Sequence, residues 1–196
     1  MSDPVSDPVS DTATQGTAAS VDELLRIATR VADQARPGEE LEVYASRGVE
    51  TDVRAYGGEI EQLASASSAG VGIRVVSDHR QGFAYAGTLD ERAITETLAE
   101  ARDNATFATP DEFLGLARPD DVPPASLDLW DDALSSLPTS AKVDMALELE
   151  RRVRGGDPRV RQVDAADYGD MAAEAAIATS TGITATARRT ICSLSV

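Results

Sequence analysis

The stretch from Val49 to Gly87, VETDVRAYGGEIEQLASASSAGVGIRVVSDHRQGFAYAG, constrains the fold more than any other part of the chain. It is a series of short alternating runs punctuated by glycine. Val49, Thr51, Val53 and Ala55 fall on one side while Glu50, Asp52, Arg54 and Tyr56 fall on the other, the two-residue period of a half-buried strand. Gly57-Gly58 supplies the positive backbone angles of a tight hairpin. A second run covers 59–65, and Val71, Ile73 and Val75 then alternate with Gly72 and Arg74. Residues 78–82 form a polar turn before Phe83 and Tyr85 begin a fourth run. The pattern predicts an antiparallel meander of four strands.

The flanks of this stretch read as helices. Ser20 and Glu23 have capping-box spacing, and Leu24, Leu25, Ala28, Val31, Ala32 and Ala35 make one helical face that ends at Pro37-Gly38. A strand over 40–46 places Leu41, Val43 and Ala45 on a single side. Thr88 and Glu91 repeat the capping-box spacing ahead of a second amphipathic helix with Leu89, Ala93, Ile94, Leu98, Ala101 and Ala105, which stops before Pro110. The expected class is α+β: an antiparallel or mixed sheet covered by two helices, followed by a further helix and the start of a second β-rich region. Residues 1–19, which repeat SDPV twice and are otherwise polar, read as a disordered tail. The amino-terminal α+β domain spans 20–109. Residues 110–138, rich in proline and acids but carrying Phe113, Leu116, Leu127, Leu129 and Trp130, form an extended connector with Trp130 as its anchor. Residues 139–196 supply a helix to about Arg154, with Met145, Leu149 and Val153 on one face below Ala141. Strands follow over 159–166, 174–179, 183–189 and 190–196, with a turn at Ser180-Thr181-Gly182. The last run is still alternating at Val196, as if leading into a carboxy-terminal domain that is missing here, by truncation or by choice of boundary.

Composition narrows the function. Eighteen Lys and Arg stand against 34 Asp and Glu, a formal net charge of −16, which repels a phosphate backbone and argues against nucleic-acid binding. No stretch is long and apolar enough to span a bilayer, and the amino terminus has no signal-peptide pattern, so a cytoplasmic location is expected. With 42% hydrophobic but only 4% aromatic residues, the core must be built mainly from Ala, Val, Leu and Ile.

Few residues suggest chemistry. His79, the single histidine, falls in a turn and reads as a solvated loop residue. Cys192, the single cysteine, lies in the last β run with Leu194 and Val196 on its side and reads as a small buried hydrophobe; Arg188 and Arg189 nearby keep an activated thiolate open. Gly70-Val71-Gly72 lies inside a strand pattern without the third glycine of a dinucleotide fingerprint. The pairs Asp120-Asp121 and Asp131-Asp132 lack calcium-loop spacing and read as solvated. No G-x-S-x-G elbow and no paired histidines occur. No residue is assigned a catalytic, cofactor-binding or metal-binding role.

Gly58-Glu59-Ile60-Glu61, 67–76 (SSAGVGIRVV), Gly82-Phe83-Ala84 and Thr88-Leu89-Asp90-Glu91 together resemble the amino-terminal domain of the TldD/PmbA family. Phe113-Leu114-Gly115-Leu116, Asp157-Pro158-Arg159-Val160, 177–182 (IATSTG) and 188–196 (RRTICSLSV) continue the likeness from about residue 20 onward, and in detail it is nearer the PmbA branch, also called TldE. The resemblance implies a cytoplasmic metallopeptidase system in which two related chains pair, or one self-associates, and unfolded peptide enters an internal cavity. Zinc in the TldD-type chain, held by an H-E-x-x-x-H motif of a carboxy-terminal domain, would cleave it. This sequence has no such motif, so no cofactor is expected within it. Either it belongs to a PmbA-type partner without zinc, the favoured reading, or to a TldD-type chain whose catalytic half lies elsewhere. It would then be a non-catalytic domain that admits substrate and shapes the dimer. The competing readings are a stand-alone α+β interaction module and an independent enzyme using His79 or Cys192.

Overall fold

In the computed structural model the described residues are 21–120, 122, 125 and 127–196. The expected tail and the Ser20 cap lie outside them. The element order is α1 (Val21–Ala32), β1 (Glu39–Tyr56), β2 (Glu59–Ser77), β3 (Arg80–Ala86), α2 (Glu91–Phe107), α3 (Asp132–Ser135), α4 (Thr139–Gly156), β4 (Ala166–Thr179) and β5 (Thr184–Ser195). All the described strands belong to one antiparallel sheet in the order β3-β2-β1-β4-β5. The fold is α+β, and the β-rich region after the connector completes the sheet begun by β1.

The meander has fewer and longer strands than the sequence suggested. The runs over 40–46 and 49–56 are one 18-residue strand, and those over 59–65 and 71–76 are one 19-residue strand. Gly48 and Gly70 do not interrupt them, because each is paired in the ladder, Gly48 with Ser68 and Gly70 with Ser46. Gly70 also admits β3: a Cβ there would sit 2.6 Å from the Ala86 carbonyl oxygen. Residues 157–165 are not a strand. Asp157 accepts from the Arg159 backbone N–H at 2.8 Å and its carbonyl from Val160 N–H at 3.0 Å, a turn that postpones β4 to Ala166. The Thr88 capping box does not form either. Asp90 occupies the N-cap of α2 without a side-chain cap, and Thr88 Oγ1 instead accepts from the Asp90 N–H.

The odd-numbered residues of β1 face the helices. Leu41, Val43 and Ala45 join Val71, Ile73, Val75, Ala84, Ala176 and Ala178 under Leu24, Ala28 and Val31 of α1 and Ile94, Leu98 and Ala101 of α2. Farther along the same face, Val53 and Ala55 join Ala166, Tyr168 and Val163 under Ala146 of α4. The fully buried positions of α4 are Ala146 and Glu150, while Met145, Leu149 and Val153 pack at its margins. Gly82 lets α2 lie directly on β3, since a Cβ there would overlap the Ala101 carbonyl oxygen and the Ala105 nitrogen.

Between the two apolar clusters this face carries charge. Arg47 donates to Glu174 at 2.6 and 2.8 Å and to Glu23 of α1 at 3.2 Å, and Arg188 donates to Glu174 at 3.1 Å. The Arg188 guanidinium stacks 4.0 Å from the Trp130 ring centre, which fastens the connector. The connector begins where Asp111 N–H donates to the His79 carbonyl, passes Glu40, whose carboxylate accepts from Leu116 N–H and Arg118, and reaches β5 where Thr190 N–H donates to the Leu129 carbonyl.

Glu150 is 1% exposed, yet both its oxygens are used: they accept from the backbone N–H groups of Gly57 and Gly58 at 2.8 and 2.9 Å. Positive φ at both glycines aims these donors together. The helix thereby grips the tip of the β1–β2 hairpin. Replacing Glu150→Ala should cost about 2–3 kcal/mol in urea unfolding and Glu150→Gln, which keeps one acceptor, about 1 kcal/mol. In the same assay Gly82→Ala should cost about 3 kcal/mol, because α2 must back away from β3.

Candidate functional site

All the described helices that cover the sheet lie on one face, so the even-numbered residues of β1 look outward. Along this outer face Glu42 pairs with Arg74 at 2.7 Å and Arg54 with Asp167 at 2.7 Å. Between these pairs the surface is open and carries Tyr44, Ser46 and Gly48, then the acids Glu50 and Asp52. Tyr44, Phe83 and Tyr85 are exposed, with the rings of Phe83 and Tyr85 stacked 6.5 Å apart. The Phe83 ring lies over Gly72, where a Cβ would come within 3.3 Å of it. Beside Tyr44 the face drops into a shallow depression of about 310 Å³ floored by Ser46, Gly48, Ala173 and Ala175, with Glu50 and Arg189 at its rim. Three aromatic rings beside a floor of small residues form a surface that an extended chain or another protein surface can lie against. The Tyr44/Phe83/Tyr85 group was not singled out from the sequence. Its signal is alternation: Phe83 and Tyr85 share a parity opposite to the buried Gly82 and Ala84.

The singled-out residues do not converge. His79 and Asp78 form the β2–β3 turn with φ of 59° and 49°, a left-handed pair that His and Asp tolerate, and His79 is exposed. Cys192 is exposed rather than buried; it lies on β5, an edge strand of the sheet. His79 adjoins β2 and β3 while Cys192 lies on β5, at least three strand spacings away, roughly 14 Å. Among the described residues no three His, Cys, Asp or Glu side chains gather as a metal-holding group; this donor set does not fit a zinc centre. Gly70 and Gly72 serve strand packing. Asp131 caps α3 through Ala133 N–H at 2.8 Å and Asp132 accepts from the Trp130 indole at 2.7 Å, so this acidic pair orders the connector rather than facing solvent idly. The turn at Ser180-Thr181-Gly182 is a tie point: Ser180 exchanges hydrogen bonds with the Leu41 backbone and Thr181 donates to the Ala117 carbonyl.

One polar cluster lies under α4, on the helix-covered face. Asp170 accepts from Lys142 Nζ and from the Tyr168 hydroxyl, each at 2.6 Å, and Lys142 also donates to Thr51 Oγ1 at 3.0 Å. Its members satisfy one another, which suits holding α4 to β1 and β4. Burial, aided by the hydrogen bond to and charge of Asp170, pushes the Tyr168 phenol well above its ordinary value.

Comparison with known proteins agrees with this architecture. Residues 41–105 match the family model for PmbA/TldA metallopeptidase domain 1, and residues 132–196 match that for the PmbA/TldA metallopeptidase central domain. Metalloprotease PmbA of Escherichia coli O157:H7 is 28% identical over 152 residues, covering 76% of this chain and 32% of that protein. Among solved structures, TldE of Thermococcus kodakarensis superposes with a TM-score of 0.69 at 19% identity, covering 88% of this chain and 38% of that one. A Bacteroides thetaiotaomicron protein described as a candidate modulator of DNA gyrase gives 0.71 at 24% identity over 88% and 40%. At these identities the structural matches speak for the fold. The chain belongs to the TldD/PmbA family, and it spans about a third of the length of the curated relative it matches.

The Tyr168 shift gives a pH dependence. A phenol whose value is raised in the fold contributes stability that is complete below the ordinary value of 10.0 and is lost as pH rises beyond it, because the unfolded chain ionises first. Urea unfolding above pH 10 should therefore show a decline that Tyr168→Phe diminishes, while at pH 7 that substitution costs about 1 kcal/mol for the lost bond to Asp170.

Proposed function

We propose that this chain is the amino-terminal part of a PmbA-type (TldE-type) subunit that admits unfolded peptide and shapes a dimer, while a TldD-like partner supplies the zinc and the peptide cleavage. Membership of the family supports the setting. The observation that carries the reading is the outer sheet face, where Tyr44, Phe83 and Tyr85 stand exposed beside a floor of Gly and Ala. This chain's own contribution is binding and orientation: aromatic rings hold apolar side chains, and the sheet presents a flat support for extended backbone. No described helix is long and apolar enough to cross a membrane, and the reading places the protein in the cytoplasm.

The test is co-expression of the complete subunit with a TldD-like chain, wild type beside Tyr44→Ser/Phe83→Ser/Tyr85→Ser. The wild-type pair should co-purify, hold zinc and cleave an unfolded peptide. The triple variant should keep its melting temperature within about 2 °C, since surface changes act weakly on stability, but lose co-purification or cleavage at least tenfold. Undiminished pairing and cleavage by the variant would sink the role of this face, and failure of the wild-type pair to associate would sink the whole reading.

A further inference from the structure

The two edges of the sheet are finished differently. The β5 edge carries Arg188 and Arg189 and is touched by the connector, with Thr190 bonded to Leu129 and Asp131. The other edge changes partway along. β3 pairs with β2 only over 71–77 and then leaves at Ala86-Gly87 to start α2. From Glu59 to Gly70, β2 has β1 on one side and, among the described residues, no strand on the other. Leu63 to Ser68 are all exposed, and LASASSAG, residues 63–70, contains no Lys, no Pro and no charge. The β1–β2 register irregularity lies before this run. Among the described residues the usual protections of an edge strand do not occur along this run.

The direction of the free groups follows from the turn. Ser77 and Arg80 flank a two-residue hairpin, so Ser77 exchanges its hydrogen bonds with β3 and every second residue before it points the same way. Leu63, Ser65, Ser67 and Ala69 thus direct their N–H and C=O groups to the open side. A strand added there would present alternate side chains to two unlike surfaces. On the helix side it meets Leu63, 47% exposed, with Val49, 45% exposed, one strand further in. On the outer side it meets only Ala64, Ala66 and Ser68, across which Asp52 and Glu50 of β1 lie within reach of a long basic side chain. Asp52, Glu50 and Glu59 have no ion-pair partner among the described residues.

We propose that the Leu63–Gly70 edge of β2 is a strand-addition site for an extended segment alternating aliphatic with basic residues. Its main chain continues the sheet, its aliphatic side chains lie by Leu63 and Val49, and its Lys or Arg side chains extend toward Glu50 and Asp52. A second copy is a poorer occupant, because each chain carries a net charge of −16 and would bring its own acids to the same rim. The site adjoins the outer depression at Glu50 and Ser68 but does not depend on the peptidase reading.

The test uses the whole 196-residue chain and a fluorescein-labelled peptide of about nine residues alternating valine with lysine, the length that spans this edge at one residue per strand position. Anisotropy should report saturable binding that weakens with salt. Methylating alternate peptide nitrogens on the bonding side, or replacing its lysines with glutamates, should weaken binding at least about tenfold. Ser65→Pro/Ser67→Pro should do the same with the thermal midpoint kept, since the lost N–H groups face solvent and not β1. Glu50→Gln/Asp52→Asn should weaken binding by about threefold and flatten the salt dependence. Equal binding of the methylated and unmethylated peptides, which needs no altered protein, would overturn the proposal. So would a stable dimer of the chain that the proline variant abolishes and the peptide does not displace, which would give the edge to a second copy.

Discussion

The double pairing of β1 is the constraint from which the molecule is built. Its residues are paired with β2 from Glu39 to Tyr56 and with β4 from Glu42 to Ala55. A strand held on both edges over this length has one permitted register, because a slip of one residue would turn Leu41, Val43, Ala45, Val53 and Ala55 outward and bury Glu42, Glu50 and Asp52. Both apolar clusters and the charged band between them follow from that register. Arg47 lies midway along the covered face, and the register places Glu174 directly opposite it; without that carboxylate the guanidinium would be left partly buried with only Glu23 to answer it.

The same pairing joins the two matched family segments into one sheet. Residues 41–105 contribute β1, β2, β3 and α2, and residues 132–196 contribute the short α3, then α4, β4 and β5. Their boundary in the sequence is the connector; in space it is the β1–β4 ladder, backed by the Glu150 grip on Gly57 and Gly58. The outer face therefore runs without a seam from Phe83 on β3 to Arg189 on β5. A surface assembled from both segments is one continuous sheet face, held in a single register by the β1–β4 ladder.

Much of this was legible in the chain. Alternation located the strand residues and their faces: Leu41, Val43 and Ala45 share one side, as do Val71, Ile73 and Val75, and all six are buried, whereas Val49, on the same side as Val53, is 45% exposed. Helical spacing located α1, α2 and α4. What misled was punctuation. The gaps left between runs at 47–48 and 66–70 are paired strand, because small residues and glycine can sit in a ladder where another backbone approaches closely, and only the neighbouring strand decides this. Cys192 reads as buried by residue type but is exposed, on the strand that comes last in the sheet order. Glu150 looks like any helix-surface glutamate in a run of charges, and nothing local reveals that two amides of a distant hairpin lie against it.

The sequence alone determined periodicity, hence which elements form and which side of each is apolar, because those are properties of residues a few positions apart. It also determined the acidic balance, which no packing can reverse. The tertiary structure alone decided the sheet order, the partner of each buried charge, the bare length of β2 and the uncovered aromatic face. Those depend on residues separated by as many as 139 positions, as in the bond between Leu41 and Ser180. Strand order is a choice among pairings that local preference leaves nearly equal, and it is settled by which arrangement buries both clusters while giving Arg47 and Glu150 their partners.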